Sequence, residues 1–211
     1  MSKNLLVVFV KNLIPGSVKT RLAKDIGTDM AMEVYKELVS YTSEITDKVD
    51  TLKAVYYSEY VEMWDFFNDE KYTKHLQEGK DLGQKMLNSF YDAFENDHDK
   101  MVLIGSDIPD LSKKVINDAF KKLDDNDLVV GPAEDGGYYL IGMKKPHESL
   151  FEGMEYGTDR VLSDLLEEAD NLSLKVAQTD MLFDLDTVAD MKKAGIEIIY
   201  EDDSGELEDN L

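Results

Sequence analysis

Short apolar runs rich in β-branched and aromatic residues alternate along this chain with longer stretches of helical periodicity, and that alternation narrows the fold more than any other feature. A strand that is apolar on both faces must be covered on both faces, and strands separated by a helix-length segment pair in parallel through crossover connections. The runs are Leu5–Val10, Leu52–Tyr57, Met101–Gly105, Asp127–Val130, Tyr138–Gly142 and Leu172–Val176. Between them, Thr28–Lys48 carries Met32, Tyr35, Leu38, Val39 and Ile45 at roughly helical spacing, and Leu82–Phe94 does the same with Leu82, Met86, Phe90 and Phe94. Ser112 reads as an N-cap with Leu111 and Ile116 as its hydrophobic staple, and Thr158 and Thr187 as further N-caps, Thr187 with Asp190 three residues on. The expectation is an α/β domain with ligands collecting at the carboxyl ends of its strands, near the point where strand order reverses. No repeat, low-complexity segment or linker interrupts residues 1–200, which read as one domain; residues 201–211 read as an acidic, solvated and disordered tail.

Composition excludes several classes of function. With 43% hydrophobic residues and only 4 Pro in 211 residues, the chain can bury a substantial core. It has Cys 0, so disulfides, thiolate zinc sites and cysteine nucleophiles are excluded. No apolar run approaches the ~18 residues of a membrane span, and Leu5–Val10 ends at Lys11 without a cleavage site, so a buried strand rather than a signal peptide is expected, in a cytoplasmic protein without membrane insertion. A net charge of -22 argues against nucleic-acid partners, because the phosphate field would repel such a surface. The charge is uneven, however. From Met1 to Lys24 there is no acidic residue, whereas Lys3, Lys11, Lys19, Arg21 and Lys24 are all basic, which points to a local site for a small anion.

That basic segment contains the first chemical candidate, Lys11 through Leu22, directly after the first strand. Gly16 permits a tight turn that offers N–H groups to an anion, and Lys19 and Arg21 add charge beside Thr20. The segment fails the P-loop pattern, because Val18 stands where a glycine is required. An ordinary basic connection is the bland alternative; against it, arginine occurs only at Arg21 and Arg160, in a chain that otherwise uses lysine. The second candidate is Gly105-Ser106-Asp107-Ile108-Pro109-Asp110-Leu111. A strand-end aspartate suits Mg2+ or Mn2+, which is held by one or two carboxylates plus substrate phosphates, and Ser112 already fills the capping role that would otherwise explain Asp107. In the third candidate, Gly131–Gly142, the paired Gly136-Gly137 read first as a hairpin turn, and secondarily as a close approach to a sugar or acceptor beside Asp135 and Tyr138. In the fourth, Asp186 reads equally as helix-dipole complement and as second metal ligand. His75, His98 and His147 are scattered and carry no assignment, and Trp64, beside Phe66 and Phe67, reads as core.

Taken in order, these segments resemble the bacterial selenodomain-associated transferases of the nucleotide-diphospho-sugar transferase superfamily, up to about Ala194. The family's opening loop is matched by Phe9, Lys11, Pro15, Gly16, Lys19, Thr20, Arg21 and Leu22, and its middle motifs by Gly79 with Asp81-Leu82-Gly83, by Gly105-Ser106-Asp107 with Pro109-Asp110-Leu111, and by Gly131–Gly142. Later motifs are matched by Thr158-Asp159-Arg160-Val161 and Asp184-Leu185-Asp186-Thr187, whereas Leu13 and Tyr156-Gly157 depart from the usual proline and Trp-Ser. The resemblance implies a GT-A fold, a three-layer α/β/α arrangement whose mostly parallel sheet carries an antiparallel strand. It also implies similarity to the guanylyltransferases of molybdenum-cofactor and deazaflavin-cofactor synthesis.

The resulting expectation is a metal-dependent transferase using a nucleotide sugar or nucleoside triphosphate and an acceptor the sequence does not name. Lys19 and Arg21 would neutralise the diphosphate, and Asp107 and Asp186 would bind Mg2+ or Mn2+. Lys11, Gly16, Thr20, Gly83, Asp135, Gly136, Gly137, Tyr138, Thr158 and Arg160 would contact nucleotide or acceptor. The family name favours glycosyl transfer, while the basic first loop suits nucleotidyl transfer with pyrophosphate release equally well. A non-catalytic nucleotide-binding or partner-docking module is the alternative of another class.

Overall fold

The computed structural model describes residues 3–196; the acidic segment 201–211 lies outside the described residues. In chain order the elements are β1 (Asn4–Val10), α1 (Thr20–Ile26), α2 (Thr28–Asp47), β2 (Leu52–Tyr57), β3 (Tyr72–Leu76), α3 (Leu82–Glu95) and β4 (Lys100–Ile104), followed by α4 (Lys113–Lys122), β5 (Leu128–Pro132), β6 (Tyr138–Met143), α5 (Val161–Asn171), β7 (Val176–Gln178) and α6 (Val188–Lys193). The strands form one seven-stranded sheet in the order β3-β2-β1-β4-β6-β5-β7. All neighbours are parallel except β6, which runs antiparallel to both β4 and β5.

The two-residue period of β1 divides the core. Leu6, Val8 and Val10 face one side, where Tyr35 and Val39 of α2 and Val115, Ile116 and Ala119 of α4 cover them. Leu5, Val7 and Phe9 face the other, against Met86, Leu87, Phe90 and Ala93 of α3 and Leu165 and Ala169 of α5. A smaller cluster of Leu22, Ala31, Val34, Leu38, Leu185 and Met191 joins α1, α2 and α6 at the carboxyl end of the sheet. The result is the three-layer α/β/α architecture implied by the resemblance, with an antiparallel strand inside a mostly parallel sheet.

Several local expectations need correcting. Trp64 is 93% exposed, because in the irregular connection after β2 it is Phe67 that turns into the core and packs edge-on against Tyr72 at 5.1 Å. Thr158 is not an N-cap: its hydroxyl donates to the Glu155 carbonyl, and α5 starts later, at Val161. The last strand is β7 at Val176–Gln178 rather than Leu172–Val176, because Leu172 still closes the end of α5. Ser112 and Thr187 do cap their helices, and Thr187 forms a full capping box with Asp190.

Candidate active site

The chain turns between β1's two parallel neighbours, so the connections leaving β1 and β4 open side by side at one end of the sheet. Lys11 follows the first and Asp107 the second. Their spacing is held by side chains rather than by sheet hydrogen bonds. The Tyr35 hydroxyl, presented by α2, accepts from the Lys11 N–H at 2.9 Å and pairs with the Ser106 hydroxyl at 2.9 Å, so a single phenol ties both connections together. Asn12, 4% exposed, accepts from the N–H groups of Glu59 and Tyr60 and donates to the Tyr60 carbonyl, which locks the first connection to the one after β2.

The basic connection then turns at Gly16, whose φ of 79° lies in the left-handed region. It buries Val18 and presents Lys19, itself left-handed at φ 48°, at the start of α1. A lysine held there carries backbone strain, which persists where the surroundings fix it. The fixing contacts are two carboxylates: Lys19 Nζ lies 2.9 Å from Asp107 Oδ2 and 3.0 Å from Asp186 Oδ1, with only 3% of the side chain exposed. Burial alone would lower the Lys19 pKa, but Asp107 and Asp186 outweigh it and raise it. Conversely, burial would raise that of Asp107, and Lys19 holds it below the usual carboxylate range. Arg21 extends the cationic edge outward, 3.6 Å from Asp186 and largely exposed. Ser17, Thr20 and Tyr35 complete a polar cleft of about 210 Å3 around these groups.

Asp184, which the sequence marks only as part of the Asp184-Leu185-Asp186-Thr187 motif, lies beside Asp107 and Asp186 in the structure. Leu185 between the two aspartates is fully buried, and its N–H donates to the Asp107 carbonyl at 3.1 Å. Anchoring the middle residue in this way presents both flanking carboxylates to the site. Burial, followed by the charges of Asp107 and Asp135, pushes the Asp184 carboxyl up to about 8, and its Oδ1 is buried with no hydrogen-bond partner among the described residues. The Asp-Leu-Asp alternation was the available signal, since residues two apart on an extended segment share a side.

A divalent cation fits this donor set. Asp107 and Asp186 together exceed the charge that Lys19 balances, and the orphaned Asp184 oxygen is costly unless a cation or donor reaches it. Among the described residues no group of three or more such side chains is placed to hold a metal ion by itself.

The remaining predicted residues divide into two groups. Asp135, Gly137, Tyr138 and Thr158 line a second cavity of about 360 Å3 that shares Lys11, Asp107 and Asp186 with the polar cleft. The hairpin reading of the third segment holds: Asp135 Oδ1 accepts from the Gly137 N–H at 2.9 Å, and a Cβ on Gly136 would overlap the backbone of Asp159. Gly83 serves packing, since a Cβ there would lie 2.7 Å from the Phe151 carbonyl. Arg160 stands outside the cleft, 74% exposed and paired with Asp164 at 3.2 Å. Sequence reasoning missed Asn12, Tyr35 and Ser106 as positioning residues, because their partners are distant in the chain.

Residues 43–158, more than half of the chain, match the DUF2064 family, described as an uncharacterized protein conserved in bacteria. The chain belongs to that family. A crystal structure from Desulfovibrio desulfuricans G20, described as a nucleotide-diphospho-sugar transferase, superposes on this DUF2064 protein with a TM-score of 0.83 and 31% identity, over 89% of this chain and 84% of that one. The 2-phospho-L-lactate guanylyltransferase of Methanocaldococcus jannaschii is 29% identical over 154 residues, 70% of this chain; the match spans 66% of that protein, a little under two thirds of its length. The 4-diphosphocytidyl-2C-methyl-D-erythritol synthase of Anaerococcus prevotii, with a TM-score of 0.55 and 10% identity over 92% of this chain and 94% of that one, shares the fold. The DUF2064 chain therefore has the fold of the nucleotide-diphospho-sugar transferase superfamily.

Proposed function

We propose that the protein is a transferase that moves a nucleotidyl group from a nucleoside triphosphate, with guanosine triphosphate as first candidate, to an acceptor hydroxyl. The observation that carries this is the buried Lys19 ammonium between Asp107 and Asp186, at the floor of a polar cleft edged by Thr20 and Arg21. Such a floor suits a triphosphate bound through a divalent cation. The nucleoside would lie in the adjoining cavity of about 400 Å3, which shares Lys11 and Ser17 with the cleft and also presents Ser58, Gln77 and Lys80. The guanylyltransferase relatives support this choice over glycosyl transfer.

In this reading the acceptor oxygen attacks the α-phosphorus, an O–P bond forms, and the bond to the bridging oxygen of the β-phosphate breaks. Pyrophosphate leaves with the electron pair, and the hydroxyl proton passes to solvent. Lys19 and Arg21 balance charge on the polyphosphate and the departing pyrophosphate, in a fixed geometry that needs no rearrangement as charge develops. Asp107 and Asp186, with Asp184 beside them, would hold Mg2+, which would supply charge neutralisation across the phosphates. Tyr35, Asn12 and Ser106 hold the connections that carry these groups.

Glycosyl transfer is the second reading, and what favours it is the transferase from Desulfovibrio desulfuricans. One experiment separates the two and also tests the non-catalytic alternative: incubation with Mg2+, a panel of nucleoside triphosphates and nucleotide sugars, and a cell extract as acceptor source. Pyrophosphate release is the expected result. Release of nucleoside diphosphate from a nucleotide sugar would establish glycosyl transfer, and no turnover of any donor would leave only a binding module.

A further inference from the structure

In a nucleotidyl transfer one atom belongs to all three parts of the reaction. The α-phosphorus is bonded to the nucleoside through a ribose oxygen, to the departing pyrophosphate and, in the transition state, to the acceptor oxygen. The polar cleft of about 210 Å3 adjoins two outer cavities, of about 360 and 400 Å3. Asp107 and Asp186 border the cleft and the first of these, Ser17 the cleft and the second, and Leu82 the two outer cavities. Among the described residues, Lys11 alone borders all three. It also differs from the other cations of the cleft in its freedom. Lys19 is engaged by Asp107 and Asp186 at 2.9 and 3.0 Å, and Arg21 lies 3.6 Å from Asp186. Lys11 is exposed, and its ammonium makes no hydrogen bond or ion pair among the described residues. Its backbone is nevertheless fixed, because its N–H donates to the Tyr35 hydroxyl at 2.9 Å.

We infer that Lys11 is a catalytic residue whose ammonium contacts the non-bridging oxygens of the donor's α-phosphate. The inference rests on the nucleotidyl-transfer reading and names the residue that acts at its reacting atom. It does not depend on which outer cavity takes the nucleoside and which the acceptor, since Lys11 borders both. An acceptor seated instead in the cavity of about 280 Å3 beside Leu13, Trp64 and Phe66 would meet Lys11 as well. Lys19 and Arg21 border the cleft but neither outer cavity, so they serve the β- and γ-phosphates. As the acceptor oxygen bonds to phosphorus and pyrophosphate departs with its electron pair, charge is redistributed over the α-phosphate oxygens. A cation whose root is fixed and whose tip is free follows that charge, and so binds the transition state more tightly than the ground state. Lys11 forms no covalent bond and gives up no proton in this step.

The test uses the full chain with Mg2+ and matched probes, the nucleoside and the nucleoside monophosphate of each base in turn, guanosine and GMP first. Saturation-transfer NMR reads their affinities. Lys11→Met should weaken the monophosphate by about tenfold and the nucleoside by less than about twofold, the difference being one charge-assisted contact. Lys11→Arg, which keeps the cation, should restore most of the loss. With cell extract as acceptor source, Lys11→Met should lower kcat for pyrophosphate release by about a hundredfold, a larger change than in KM. The parent protein supplies a second reading that needs no variant. Reductive methylation followed by mass spectrometry should label Lys11 in the free protein and with the nucleoside, and the monophosphate with Mg2+ should protect it. Equal loss of nucleoside and monophosphate affinity in Lys11→Met overturns the inference, as does a Lys11 that no monophosphate protects. The methylation result decides it even if the variants do not fold. Protection by a monophosphate without turnover of any donor defeats the nucleotidyl-transfer reading but leaves Lys11 at the α-phosphate; pyrophosphate release that Lys11→Met leaves unchanged does the opposite.

Discussion

Lys19 holds three properties that usually exclude one another: a left-handed backbone, near-complete burial and a full charge. Only paired carboxylates make that combination stable, so the residue is expected to respond to cations. Lys19→Met should destabilise the free protein by about 2 kcal/mol in urea unfolding, below the usual cost of breaking a fully buried pair because both aspartates are partly exposed. Mg2+ alone should then raise the melting temperature of the variant more than that of the parent, by substituting for the ammonium; equal shifts would contradict the proposed metal position. Asp184 behaves in the opposite sense. Its folded-state pKa is raised to about 8, so the native state holds a proton the unfolded chain releases at an ordinary carboxyl value. Stability is therefore lost as pH rises through that interval, with the loss complete above about 8. Asp184→Asn removes the titration, and should raise the metal-free melting temperature clearly more at pH 9 than at pH 5. A gain independent of pH would mean that Asp184 ionises normally.

At the scale of elements, the structure shows which signals a sequence can carry. The interior strands β1, β2, β4, β5 and β6 were legible because burial on both faces forces continuous apolar runs. The edge strand β3 was not, since Tyr72-Thr73-Lys74-His75-Leu76 buries only Tyr72 and alternates too weakly to stand out. β7, the other edge, is three residues long and was placed too early. Caps were legible where the side chain accepts from its own helix, as at Thr187, and misleading where a threonine merely closes a turn, as at Thr158. The candidate site was legible in its loops, because Gly16, Lys19, Asp107 and Asp186 are chemically distinctive. It was not legible in its supports, because nothing local marks Tyr35 or Asn12 as binding distant backbone. The capping box on α6 stands directly beside Asp186, whose N–H also donates to Asp190. Thr187→Ala should therefore cost about 1 kcal/mol in urea unfolding, and weaken Mg2+–nucleotide binding in calorimetry by loosening Asp186. Stability loss without any affinity loss would separate the cap from the site.

Across the whole molecule, a chain of net charge -22 places Lys11, Lys19 and Arg21 together around one polar cleft. Such a protein repels bare polyphosphate at long range, and admits it most readily once a divalent cation has lowered the charge. Cation and nucleotide should therefore bind as a unit, a coupling that melting experiments can read. A ligand that binds only the folded state adds RT ln(1 + [L]/Kd), about 2.7 kcal/mol at a hundred times Kd. Together, Mg2+ and GTP should stabilise the parent by more than the sum of their separate effects. Asp107→Asn should abolish that excess, because an amide is a poor ligand for Mg2+ and also frees one of the contacts that aims Lys19. The metal-free variant should lose only modest stability, since Lys19 keeps Asp186 at 3.0 Å. Asp186→Asn should reduce the excess less, because Asp184 presents a second carboxylate from the same segment. If the Mg2+–GTP excess survives Asp107→Asn while the metal-free melting temperature falls sharply, then Asp107 is a structural partner of Lys19 and the cation is held elsewhere.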